Sequence, residues 1–255
     1  MNAVNADLVA DVTWASQAES ASRGGLVDSL KNTTIPNDQL LANLGLFLDA
    51  KNLSRILFMD FLYRQILDVQ GVVFDFGTRW GQNAALFTSF RGIYEPFNRH
   101  RRIVGFDTFT GFPGVAAEDG SSPLMEPGKL ATTAGYQREL ETILSHHEQL
   151  NPLSHIRKTM LCQGDACETV EKYIVENPQT IVSLAYFDFD IYAPTKRCLE
   201  LIRPRLVKGS VLGFDELNDP DSPGETLALM EVFGLNAVRL KRFPHASRVS
   251  YFVVE

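Results

Sequence analysis

Acidic residues recur in the second half of the chain where carboxylates are costly to keep together. The segment Leu184-Ala185-Tyr186-Phe187-Asp188-Phe189-Asp190-Ile191-Tyr192 alternates carboxylates with aromatic residues, and Phe214-Asp215-Glu216 ends a second apolar run. Along a strand of period two, Asp188 and Asp190 share one face. With the two runs as neighbouring strands, about 4.8 Å apart, Asp190, Asp215 and Glu216 gather in one place. Clustered carboxylates repel unless one holds a proton or a cation joins them. A hard divalent ion such as Mg²⁺ takes oxygen ligands and keeps several waters, so a metal between Asp190 and Asp215/Glu216 is one resolution. The other is that these acids cap the following helices, since Asn218, Asp219, Pro220 and Asp221 also lie in a turn.

Three further acids end three earlier apolar runs. The first run ends in Asp75-Phe76-Gly77-Thr78-Arg79-Trp80-Gly81. Its glycines let the backbone turn tightly and approach a ligand, and the helix that follows offers free N–H groups. The spacing D-x-G-x-x-x-G is not the G-x-G-x-x-G of dinucleotide enzymes, and a sharp strand-to-helix turn would select glycine by itself. The second run ends in Gly105-Phe106-Asp107. A carboxylate there can accept bonds from both ribose hydroxyls, or can cap a turn together with Thr108. The third ends in Gln163-Gly164-Asp165-Ala166, where Asp165 can cap a helix starting at Ala166 or accept a bond from an adenine amino group. Three acids ending three successive strands are more specific than any one of them.

These residues need a scaffold. Strand patterns cover residues 71–76, 102–106, 159–162, 181–189, 210–214, 237–242 and 248–254, with helical patterns at 82–90, 133–146, 166–176, 195–202 and 223–233 between most of them. Such alternation predicts a mainly parallel sheet with helices on both faces, whose ligands bind beyond the carboxyl ends of the strands. Before the first strand, apolar residues recur at helical spacing in 37–50 and 53–67. A short helix over residues 7–21 is expected to stop at Gly24-Gly25. The stretch Thr108–Thr132, rich in glycine with Pro113, Pro123 and Pro127, reads as a long loop of the kind that is functional or disordered.

The 255 residues carry 24 Lys and Arg against 31 Asp and Glu, a net charge of −7. That balance argues against nucleic acid or an anionic membrane as the main partner, since both need a basic face. Acidic residues stand where a secretory signal would be basic, and no apolar run approaches the ~18–20 residues of a membrane span. A soluble, cytoplasmic protein is expected. Cys162, Cys167 and Cys198 form no CxxC and no zinc-like spacing, so they read as reduced thiols. His146-His147 reads as a solvated helix face. The Arg99–Arg102 cluster reads as a charged loop, with contact to a pyrophosphate as the alternative. His245, in the turn Phe243-Pro244-His245-Ala246, is a candidate auxiliary base.

The segments VVFDFGTRWGQNA, GFDTFTGFP and QGDA resemble the first three motifs of class I S-adenosylmethionine-dependent methyltransferases. The segment YFDFDIYAPTKRCLELIRPRLVKGSVLGFDELN is similar to the D-x-Y-x-x-T … P-x-L-x-x-G … D-(D/E) signature of the macrocin O-methyltransferase-like family. It matches at Asp190, Tyr192, Thr195, Pro204, Leu206, Gly209, Asp215 and Glu216. LYRQILDVQGVVFDFG also fits, so the likeness covers about residues 53 to 218. Two departures stand out: Glu216 where many relatives have Asp, and a long connection over Arg91–Arg102.

The resemblance implies an α/β, Rossmann-like, doubly wound sheet of seven strands, the last antiparallel, with added N-terminal helices. It implies S-adenosylmethionine and Mg²⁺ as cofactors, and O-methylation of a deoxysugar, free as a nucleotide sugar or attached to a natural product, in antibiotic biosynthesis. Asp75, Gly77 and Gly81 would surround the methionine part, Asp107 the ribose and Asp165 the adenine. Arg79 would pair with the cofactor carboxylate, and Thr78, Thr108, Ala166 and Asp188 complete the cofactor site. Asp190, Asp215 and Glu216 would hold the metal, with Asp190 also the general base. Residues 1–52 are expected to form an arm and helices for homo-oligomerisation or as a lid, and residues 53–255 the catalytic domain. The rival readings are methylation of a catechol-like phenol, an NAD-dependent oxidoreductase, which the missing third glycine opposes, and a non-catalytic S-adenosylmethionine-binding protein.

Overall fold

A computed structural model describes residues 15–255. The described chain opens with helices α1 (Gln17–Lys31), α2 (Asn37–Leu40) and α3 (Ala50–Arg64). Residues 7–14 of the expected first helix lie outside the described residues. Helix α1 starts where Ser16 Oγ accepts from the Glu19 amide, then runs through Gly24-Gly25 instead of stopping there. Two helical glycines cost about 1 kcal/mol each. The Ser16 cap, the Glu19–Arg23 pair at 2.8 Å and the Ser29 hydroxyl on the Gly25 carbonyl oppose that cost.

The stripe over 37–50 does not form one α-helix. After the single turn of α2 the backbone tightens into a 3-10 stretch, Leu41–Phe47. The Asn43 side chain takes the Gln39 carbonyl, the acceptor its own amide would use in an α-helix. Leu41 and Leu46 are left 80% and 65% exposed. The boundary drawn at residue 52 falls in the first turn of α3.

From there strands and helices alternate: β1 (Val72–Phe76), α4 (Gln82–Tyr94), β2 (Ile103–Asp107), α5 (Tyr136–Gln149), β3 (Thr159–Gln163), α6 (Ala166–Glu176), β4 (Val182–Phe187), α7 (Tyr192–Ile202), β5 (Leu206–Phe214), α8 (Gly224–Val232), β6 (Lys241–Arg242) and β7 (Ser250–Val253). The order across the sheet is β3-β2-β1-β4-β5-β7-β6, with β7 antiparallel to both neighbours and the others parallel. This is the expected doubly wound α/β fold. The order reverses between β1 and β4, the place where such sheets open a crevice.

The pleat divides the core. Phe74, Phe76, Phe106, Phe187 and Phe214 face α6, α7 and α8, whereas Val73, Leu184 and Tyr186 face α3, α4 and α5. Buried ions tie the outer elements together. Arg91 of α4 and Lys158 before β3 both pair with Glu148 of α5, at 2.7 and 3.0 Å. Within the basic cluster, Arg101 is 1% exposed and bonds the Ile66, Val69 and Gly71 carbonyls, Ser183 and Glu95. It pins the loop that leads into β1, and its charge is paired with the Glu95 carboxylate. Among the described residues, no helix is long and apolar enough to cross a membrane.

Candidate functional site

A cleft of about 800 Å³ opens at the carboxyl ends of β1, β2, β4 and β5, within the size range of small-molecule sites. At the end of β1, Gly77 has φ +78°, and a Cβ there would lie 1.9 Å from the Asp188 carbonyl oxygen, so only glycine fits. Gly81, with φ +79°, starts α4 without a side-chain cap. The first amides of α4 are thus free to meet an anion. Arg79 is left-handed at φ +46°; its amide donates to Asp107 Oδ2 at 2.8 Å, and its buried Nε has no partner.

Asp107 Oδ1 accepts from the Phe109 amide at 2.6 Å, and Thr108 Oγ1 donates to the Gly111 carbonyl. Burial pushes the Asp107 carboxyl upward. Asp165 caps α6, accepting from the Cys167 amide at 2.8 Å. The turn and cap readings thus hold for both acids, and a carboxylate with about four lone-pair sites keeps capacity for a ligand. Gly77, Thr78, Arg79, Gly81, Asp107, Thr108, Asp165, Ala166 and Asp188 all line the cleft.

Asp75 does not. The pleat of β1 turns it away from Phe74 and Phe76, toward α4, where it is fully buried and accepts from Asn83 Nδ2 at 3.2 Å. Burial pushes its carboxyl up to about 6.

At the other end of the cleft, β4 stops at Phe187 and not at Phe189. Asp190 then takes a left-handed φ of +61°, which ends the period-two alternation. Asp188 pairs with Arg55, whose other nitrogen lies 2.6 Å from Asp215 Oδ1. Tyr186 donates to the same Asp215 oxygen at 2.6 Å. Glu216 pairs with Arg248, which also reaches Asp219 at 3.2 Å. Asp190 faces Glu216, and Glu225, fully buried at the start of α8, accepts from the Phe189 amide. Burial, and then mutual repulsion, pushes the Asp188, Glu216 and Glu225 carboxyls well above the usual carboxylate range.

The expected conflict among carboxylates is therefore real, and arginines meet part of it. Among the described residues, no three acidic, histidine or cysteine side chains converge at metal-ligand spacing. Asp215 turns Oδ1 to Arg55 and Tyr186. Asp190 and Glu216 nonetheless fit a hard cation: both are buried carboxylates, and Glu216 Oε1 lacks any donor.

His245 is not brought to the cleft. Phe243 is the buried anchor of its turn, the exposed imidazole sits edge-on to that ring, and its carbonyl takes the Ser54 hydroxyl.

The sequence reading missed Arg55, Arg248 and Glu225. Arg55 had a signal: it lies 3, 4, 7 and 8 residues before Phe58, Met59, Leu62 and Tyr63, an arginine on the buried stripe of α3. Arg248 had none, because its place follows from the antiparallel register Phe214↔Ser250 continued two residues outward to Glu216.

No family model matches the chain, and no curated protein matches its sequence. Solved structures do. CalS11, a calicheamicin methyltransferase, is 44% identical over 99% of this chain and 98% of its own, with a TM-score of 0.92. The apo structure of CalS11, a TDP-rhamnose 3'-O-methyltransferase of calicheamicin biosynthesis, matches at 41% identity and a TM-score of 0.84, over 94% and 96% of the two chains. The O-methyltransferase NovP, 16% identical over 79% of each chain with a TM-score of 0.59, shares the fold. With such identity over nearly the whole of both chains, this chain belongs to the S-adenosylmethionine-dependent O-methyltransferase family.

Proposed function

We propose that the chain methylates a hydroxyl of a deoxysugar carried as a nucleoside diphosphate. The observation that carries this reading is one cleft with two chemically different ends. One end has the glycine turn, the free amides of α4, and Asp107 and Asp165; the other has buried carboxylates. The likeness to CalS11, which acts on TDP-rhamnose, supports the acceptor class. Lys51 of α3 supports it as well: it lines the cleft and, among the described residues, has no ion-pair partner, as suits a phosphate contact.

In this reading Gly77–Gly81 and the α4 amides hold the methionine part, with Arg79 on its carboxylate. Asp107 accepts from the ribose hydroxyls and Asp165 from the adenine amino group. Thr78, Thr108, Ala166 and Asp188 shape the walls. S-adenosylmethionine supplies an electrophilic sulfonium methyl. A divalent cation, held by Asp190 and Glu216, would lower the pKa of the acceptor hydroxyl.

Asp190 takes the hydroxyl proton as that oxygen attacks the methyl carbon and the carbon–sulfur bond breaks toward sulfur. Arg55 and Arg248 fix the surrounding acids so that Asp190 holds its place. The exposed Leu41 and Leu46 support homo-oligomerisation through the N-terminal elements, tested by light scattering of the L41S/L46S variant.

The test is a thermal-shift titration with S-adenosylhomocysteine against NADH, followed by methyl-transfer assays. At 100 times its Kd a ligand stabilises by ~2.7 kcal/mol, a shift of roughly 5–10 °C for a domain of this size. S-adenosylhomocysteine alone is expected to shift, and a TDP-deoxysugar to be methylated in preference to a catechol, with loss on chelation. Asp190→Asn is expected to abolish turnover and leave S-adenosylhomocysteine affinity nearly intact. A shift with NADH alone, or equal loss of turnover and cofactor affinity in Asp190→Asn, overturns the reading.

A further inference from the structure

The long loop 108–132 packs on the segment that joins β4 to α7. Between the end of β4 and the start of α7 lie four residues, with Asp190 in the left-handed region at φ +61°. A side chain other than glycine holds that conformation only where its surroundings enforce it. Helix α7 cannot supply the restraint, because its N-cap is Ile191, which has no side-chain acceptor for the first-turn amides.

The acceptor comes from the loop. Asp119, 1% exposed, receives the Tyr192 amide on Oδ1 at 2.5 Å and the Ala116 amide on Oδ2 at 2.7 Å. On the other side of Asp190, the Phe189 amide donates to the buried Glu225 at 3.2 Å. Asp190 is thus bracketed by two amides, each held by a buried carboxylate from a different element.

Two more features serve the same contact. A Cβ at Gly224 would lie 2.5 Å from Asp119 Oδ1 and 2.6 Å from the Tyr192 nitrogen, so the glycine opening α8 makes room for the cap. Ile191, 2% exposed, packs with Phe112 and Met125 of the same loop. The loop meanwhile lines the cleft through Phe112, Pro113, Ser122 and Leu124.

We propose that Asp119 is a positioning residue for methyl transfer: it caps α7 from outside that helix, and so makes the orientation of Asp190 depend on the docking of the cleft wall. The proposal rests on the reading of Asp190 as the base. It also gives the loop a part in turnover, since an acceptor that seats the loop steadies the group that deprotonates it.

The experiment compares Asp119→Ala and Asp119→Asn by steady-state kinetics, S-adenosylhomocysteine binding and amide hydrogen exchange. Misplacing a reacting group by about 1 Å can cost 10²-fold in rate. Asp119→Ala is expected to lower kcat about 10- to 100-fold, leave cofactor Kd within about 2-fold, and lose protection at the Tyr192 amide. Asp119→Asn keeps an acceptor oxygen and is expected to recover both the protection and most of the rate.

If Asp119→Ala fails to fold, Gly224→Ala tests the same contact by driving Asp119 and Tyr192 apart, and the same paired losses are expected. Loss of Tyr192 protection at wild-type turnover overturns the positioning role, as does loss of rate with protection unchanged. Wild-type turnover in Asp190→Asn would instead overturn the reading of the base, so the two failures are distinguishable.

Discussion

Arg55 Nη1 lies 2.6 Å from Asp215 Oδ1, which bonds the last N-terminal helix to the end of the fifth strand. The guanidinium bridges to Asp188 as well and packs over the Tyr186 ring, its charge held by the acids around it. Removing one partner of a buried ion pair costs ~3–5 kcal/mol, because the other charge is left without compensation. About a quarter of the Arg55 side chain is exposed (27%), which reduces that figure.

Arg55→Met is expected to destabilise the protein by roughly 2–3 kcal/mol, read from the midpoint of urea unfolding. Arg55→Lys is expected to recover only part, since one ammonium lacks the fork that spans two carboxylates. Unchanged stability in Arg55→Met would mean that Asp188 and Asp215 need no cation.

The fold was legible because its signals are local. The apolar runs with turn glycines, and the period-3.6 segments between them, fix a parallel sheet with helices on both faces. The positions of Asp107 and Asp165 followed from strand ends alone. What stayed hidden depends on register and backbone conformation. Asp190 leaves the strand alternation because its φ is positive, and no residue type announces that at an aspartate. Arg248 meets Glu216 only through the pairing of β5 with β7. Asp75 lies two residues before the cleft-lining Gly77, yet the pleat turns it inward. His245 lies in a turn bordering the right strand, but Phe243 is the residue that turn buries.

Lys51, one helical turn before Arg55 in α3, lines the cleft, as does Arg23 of α1. Arg23 is engaged by Glu19 at 2.8 Å and by Asp49 at 3.4 Å, so Lys51 is the freer cation. A charge-assisted bond to a phosphate contributes about 1.5–3 kcal/mol, which corresponds to roughly 10- to 100-fold in affinity. Lys51→Ala is expected to raise KM for a nucleoside diphosphate sugar by about that factor, with kcat and S-adenosylhomocysteine affinity little changed. Isothermal titration with TDP alone separates this from a sugar contact. A variant that binds TDP as tightly as the wild type would remove Lys51 from the acceptor site.

Asp75 makes a prediction about stability and pH. Its carboxyl is fully buried with one hydrogen bond, and burial raises it from 3.8 to about 6. In the unfolded chain it ionises near the lower value. Between the two, only the folded state holds the proton, so folding loses about 1.4 kcal/mol per pH unit as pH rises, on the order of 3 kcal/mol in all. The loss is complete above the folded-state value and absent below the unfolded one. Asp75→Asn removes the charge and keeps an oxygen for Asn83. Against the wild type it is expected to be no more stable at pH 3.5, to gain through pH 4–6, and to hold a constant advantage at pH 7–8. Urea unfolding of both proteins across that range checks it. An advantage that fails to grow with pH would mean that Asp75 stays ionised in the fold, and that a cation or donor compensates it there.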